Sequence, residues 1–190
     1  MSIFLGKHSR RGFVTLIISA FGALIGWASI ARAQSKDTVD PTRHRRVVTG
    51  FDSSGKSTIT WDGHVPKASE YKMPGWAFSE LWVSKVIPAN LSDSSDPLVE
   101  WKFMGFEPPD GGFVTRICTF EPGFEARMHT TSSIDFGIVV TGALELKLEN
   151  GSTVARPGDV IVQRGTPHGW RTVGNEPCTA VFILIDAAKS

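Results

Sequence analysis

The chain has 190 residues, with 20 Lys and Arg against 19 Asp and Glu, and a formal charge of +1. Setting aside residues 1–33 removes four basic and no acidic residues, leaving 16 against 19 and a charge of −3 over 157 residues. That length suits a single domain with a real core, and that charge is the wrong sign for gripping phosphates, so no nucleic-acid role is expected.

The N-terminus resembles an export signal. Ser9-Arg10-Arg11-Gly12-Phe13 is a twin-arginine start, Phe13 to Ile30 is mildly apolar, and Ala31-Arg32-Ala33 fits a small-x-small cleavage site. This implies Tat-type export to a bacterial periplasm. The 18-residue run, diluted by Ser, Gly and Ala, falls just short of the roughly 20 residues of a spanning helix, and the alternative is an anchor facing the periplasm. Residues 34–43 read as a polar linker.

From residue 44 the chain reads as strands. RRVVTGF and STITW flank a turn, DSSGK. Gly50 to Ser57 fits the phosphate-loop pattern G-x-x-x-x-G-K-S. That pattern needs a helix starting at the Lys, and Ser57-Thr58-Ile59-Thr60-Trp61 favours strand, so no nucleotide is expected at 50–57. Residues 62–76 read as a loop, Phe78–Ile87 as a strand, and Val99–Phe106 as another. Pro108-Pro109-Asp110-Gly111-Gly112 is a sharp turn, which suggests a β extension over 44–111 and a core over 112–186.

Beyond Gly112 short strands succeed one another: FVTRICTF, IDFGIVV, ALELKLEN, TVARP, DVIVQ, GWRTV and CTAVFILID. Leu144, Leu146 and Leu148 alternate with charged residues, the period of a half-buried strand, and Asn150-Gly151 favours a two-residue hairpin turn. No helix of more than about two turns has an amphipathic pattern. Cys118 and Cys178 both lie in apolar runs. They are either a disulfide permitted by an oxidising compartment or two separate buried thiols.

Two segments carry the chemistry. In PGFEARMHTTSSIDFGIVVTG, Gly123 is followed after five residues by His129, then by Thr131, Asp135 and Gly142. In PGDVIVQRGTPHGW, the positions that matter are Gln163, Gly165 and His168. The spacing resembles the two motifs of the cupin family, with Thr131 in place of a His, Asp135 in place of a Glu and Gln163 in place of a Pro. The resemblance implies an all-β, cupin-type jelly-roll barrel. It also implies a divalent metal, Fe, Mn or Zn, held by His129, Asp135 and His168, with His129 and His168 catalytic. Asp135 is one methylene shorter than Glu and reaches roughly 1.5 Å less, so it is either a ligand or a partner of His129. In a barrel without metal, His129 or His168 would act as general acid or base.

Substrate contacts are expected from Arg127, Thr131, Phe136, Gln163 and Trp170, with Ile138 and Phe182 also on the wall, Met128 at the mouth and Arg164 flanking. QRGTPHGW with HTTSSIDFG is similar to a group of small single-domain cupins associated with polyketide or aromatic metabolism, as dehydratase-like or decarboxylase-like proteins. The expectation is therefore a small-molecule enzyme, a metal-dependent lyase, isomerase or oxygenase, or else a non-catalytic binding protein. A homodimer through apolar strands 78–87 and 99–106 is the expected assembly.

Overall fold

Strand-forming runs cut by Gly, Pro and Asn at short intervals fold as antiparallel sheets. The computed structural model describes residues 44–188 except Met104. Among these the chain order is β1 (Arg45–Phe51), β2 (Ser57–His64), a single 3-10 turn (Lys67–Ser69), β3 (Glu70–Met73), β4 (Trp76–Ser84), β5 (Phe113–Phe120), β6 (Ser133–Thr141), β7 (Leu144–Leu148), β8 (Gly151–Ala155), β9 (Val160–Arg164), β10 (His168–Thr172) and β11 (Cys178–Asp186). A six-stranded sheet, β3-β4-β5-β11-β6-β9, and a three-stranded sheet, β10-β7-β8, make the jelly-roll barrel. A separate β1-β2 hairpin makes a third sheet.

The register of the large sheet decides what faces inward. Side chains directly opposite across an antiparallel ladder share a face, so pairing turns sequence alternation into rows. One inner row runs Phe78, Cys118, Ala180, Val139, and is apolar throughout. The next runs Glu80, Arg116, Phe182, Gly137, Ile161. The third runs Val83, Val114, Leu184, Asp135, Gln163. Charged and polar side chains thus enter the barrel in the second and third rows. A register shift between Glu80 and Trp82 lets Glu80 and Val83 face the same way despite their odd spacing.

Several local expectations are corrected. Val99–Phe106 does not form a strand where described. Its rings pack against the sheet instead, with the Phe103 ring 4.9 Å from Tyr71 and the Phe106 ring 5.5 Å from Trp76. The 62–76 segment is not all loop, because β2 runs on to His64 and β3 pairs with β4. The strand placed at 78–87 begins at Trp76 and ends at Ser84, whose hydroxyl donates to Val86 O in the turn that follows.

The turn at 108–112 does not separate an extension from the barrel core, since β3 and β4 belong to the six-stranded sheet and β4 pairs with β5. The β7-β8 turn is Glu149-Asn150, with Gly151 already in the ladder opposite Leu148. After Lys56 the chain enters β2, without a helix. Cys118 and Cys178 are both free and buried.

Candidate active site

The inner rows and the β10 edge enclose a cavity of about 520 Å³. Trp76, Phe106, Phe120, Phe124, Trp170 and Phe182 give it aromatic walls, and His129, His168, Thr131, Asp135 and Arg116 are among its polar groups, with Glu107, Arg127 and Thr130 also on the lining. An apolar concavity with a few converging polar groups is the usual form of a small-molecule site.

The two histidines are brought together by backbone pairing. His129 N donates to His168 O and His168 N to His129 O, each at 2.8 Å. Such a doubly bonded antiparallel pair holds both side chains on one face. Their ring centroids lie 4.3 Å apart, with a 49° tilt. His129 is exposed, whereas His168 is 1% exposed.

Both rings are held from behind. His129 Nδ1 lies 3.0 Å from Arg127 O, and His168 Nδ1 lies 2.9 Å from Thr166 O. Gln163 stands behind His168. Its Oε1 accepts from Gly165 N at 2.9 Å and its Nε2 donates to Thr166 O at 2.7 Å, with His168 Nδ1 also within 2.9 Å. A proton on each Nδ1 donates to the two carbonyls, with the Gln163 amide hydrogens directed to Thr166 O and Oγ1 and not to His168 Nδ1, and leaves Nε2 of each ring as the nitrogen available for chemistry; this tautomer is assigned from the hydrogen-bond network. Burial pushes His168 below the ordinary imidazole range, helped by the charge of His129 and opposed by Thr166 O and Asp135.

Asp135 sits in the neighbouring inner row. Its oxygens accept from Ser133 Oγ and, at 3.2 Å, from Thr131 Oγ1. Burial raises its pKa, against the two hydroxyls and the charges of His168 and Arg116. Arg116, 4% exposed, extends from β5, with Nη2 3.1 Å from Oε1 of the fully buried Glu80.

The expected residues divide clearly. His129, Thr131, Asp135, His168, Trp170, Phe182 and Arg127 line the cavity. Arg127 is exposed, and its carbonyl holds His129. Gln163 acts behind His168 rather than on the cavity wall. Phe136 and Ile138 are not wall residues. They alternate out of phase with Asp135 and Gly137 and pair with Ile183, Val162, Val181 and Val160 on the outer face. Arg164 and Met128 are exposed and lie outside the cavity lining.

The residue not foreseen is Arg116. Its signal was present in β5, where Val114, Arg116, Cys118 and Phe120 share one parity, so a lone charge sits on an apolar face. Glu80 carries the same signal beside Phe78.

His129, Asp135 and His168 all face this cavity. Even so, no three His, Cys, Asp or Glu side chains among the described residues stand together as a metal-binding group. The histidines meet, but the Asp135 carboxylate is turned to Ser133 and Thr131. The donors that meet are the two imidazoles, with the carboxylate engaged by two hydroxyls.

Comparison with known proteins agrees with this architecture. The family model described as "Cupin domain" matches residues 116–184. A "Phomopsin biosynthesis cluster protein C'" of Diaporthe leptostromiformis is 34% identical over 83% of this chain and 86% of its own length. The chain belongs to the cupin family. A "Cupin-domain-containing oxidoreductase srdD" of Neurospora crassa is 33% identical over 76% of each chain. Among solved structures, the Schizosaccharomyces pombe Cnp3 cupin domain is similar at 11% identity and a TM-score of 0.46, over 75% of this chain and 87% of that one.

These relatives correct one expectation. Proteins of fungal biosynthesis clusters point to a eukaryotic setting, which overturns the bacterial periplasmic reading, exported or anchored. The twin-arginine-like segment itself lies outside the described residues.

Proposed function

We propose that this cupin is an enzyme of natural-product assembly that moves a proton within a small, ring-bearing molecule, an isomerisation carried out in the aromatic cavity. The observation that carries this reading is the cross-strand imidazole pair, one ring buried and one exposed, at 4.3 Å. Burial keeps His168 neutral near pH 7, so its Nε2 can take a proton from a carbon or hydroxyl of the substrate. His129, open to solvent, is placed to relay that proton outward or return it. Arg127 O and Thr166 O hold the two rings in register for this transfer. The aromatic walls give the reacting face an apolar surround. The biosynthesis-cluster names of the relatives support a small-molecule substrate.

The first test needs no substrate. Long-range proton–nitrogen NMR should show His168 protonated on Nδ1 and ionising below 6.5, and elemental analysis of untagged protein should show no stoichiometric metal. Near-stoichiometric metal that disappears in His129→Ala/His168→Ala would overturn the reading and favour the oxidoreductase named among the relatives. Deuterium exchange into aryl ketones such as 2-tetralone should then fall by about 100-fold or more in His168→Gln.

A further inference from the structure

Arg116 is a cation placed where a cation is expensive. It stands on the otherwise apolar inner face of β5, 4% exposed, and lines the aromatic-walled cavity. One nitrogen, Nη2, meets Glu80 at 3.1 Å, and the guanidinium carbon lies 5.4 Å from the Phe78 ring centre. Its Nε has no hydrogen-bond acceptor. A guanidinium carries five N–H donors in a planar fork that matches a carboxylate, and donors left unmet in a buried place are costly. The two carboxylates on the cavity wall are already engaged, Asp135 by Ser133 and Thr131 and Glu107 by Ser132 N and Oγ.

An ion pair of this kind is weak support for stability, because apolar residues of similar volume commonly do as well. Its position on the cavity wall gives it another use. Glu80 comes from the adjacent strand, directly opposite Arg116 in register, and fixes the guanidinium from the side away from β11.

We propose that Arg116 is the anion-binding residue of this cavity, and that the substrate is a ring-bearing carboxylic acid whose carboxylate sits on the guanidinium while its ring lies against Trp76, Phe120 and Trp170. This rests on the cavity being the active site, and it adds the substrate class. The carboxylate fixes one end of the molecule, and the imidazole pair acts on the other. Glu80 is a positioning residue that aims the fork.

The test is binding of 2-naphthoate against its uncharged methyl ester, read by quenching of tryptophan fluorescence and by calorimetry on the full chain. The acid should bind at least about tenfold more tightly than the ester in the wild type. Arg116→Gln should abolish that preference while leaving ester affinity within about twofold, and Arg116→Lys should keep part of it. Glu80→Gln should strengthen acid binding by about twofold or more, since it removes the competing carboxylate while an amide oxygen still accepts from the guanidinium. His129→Ala/His168→Ala should retain the preference, so that failure of the proton-transfer reading and failure of this one are told apart.

Absence of naphthoate binding, no preference in the wild type, or a preference that survives in Arg116→Gln would overturn the proposal and leave a structural ion pair. If circular dichroism shows that Arg116→Gln does not fold, the other two variants decide. Unchanged naphthoate affinity in both Arg116→Lys and Glu80→Gln would overturn it as well.

Discussion

Gly137 joins the fold to the cavity in a way that one methyl group can test. It lies on β6 directly opposite Phe182 of β11, and a Cβ added there would stand 2.9 Å from Phe182 Cε1 and 3.4 Å from Cδ1. Carbon atoms pack at about 3.5–4.0 Å, so the ring must move by roughly 1 Å. It is not free to do so cheaply, because it meets Trp170 at 5.4 Å and Phe120 at 6.3 Å, both edge-to-face. The open direction is the cavity that Phe182 lines.

Gly137→Ala should therefore destabilise the protein by about 1–3 kcal/mol, the usual cost of overpacking, and weaken binding of aromatic ligands by narrowing the site. Urea melts measure the first effect and naphthoate titration the second. Phe182→Leu alone should cost about 1–2 kcal/mol. The double variant should be more stable than the sum of the singles by about 1 kcal/mol or more, because the smaller side chain makes room for the methyl. Strict additivity, or a Gly137→Ala protein as stable and as ligand-competent as the wild type, would refute the reasoning.

Two further outcomes follow from the same interior. His168 has a folded pKa below its ordinary 6.5, so the unfolded chain takes up that proton first as the pH falls. The stability tied to the neutral ring is present above about pH 6.5 and is lost as the pH falls toward the folded value. Asp135, raised above 3.8, works in the opposite sense and contributes stability at acid pH that is lost as the pH rises through its folded value. Urea melts between pH 7.5 and 5 should show a slope in the wild type that His168→Gln flattens; equal slopes would count against a buried neutral His168. Burial also pushes the Cys118 thiol up to about 12 and Cys178 up to about 11. Ellman's reagent at pH 8 should find both thiols only after denaturation, and fast labelling of the native protein would contradict the inward register of β5 and β11.

Much of the barrel was legible in the chain itself. Alternation in FVTRICTF, IDFGIVV and CTAVFILID, punctuated by Gly, Pro and Asn, determined an all-β protein, because period-two patterning is a local consequence of the pleat. The spacing from Gly123 to Gly142 and from Gln163 to His168 marked the histidines and Asp135 as neighbours of one site. What the tertiary structure decided was orientation and company. Phe136 differs from Asp135 by one position in a strand, and only pairing to Ile183 and Val162 shows which of the two faces out. The aromatic run 99–106 reads locally as strand, yet where described it joins no ladder and its rings pack against Tyr71 and Trp76. Asp135 turns to two hydroxyls, and Arg116 meets Glu80 because the pairing of β4 with β5 sets them directly opposite on the inner face. Register is a property of pairs of strands, and no single strand carries it.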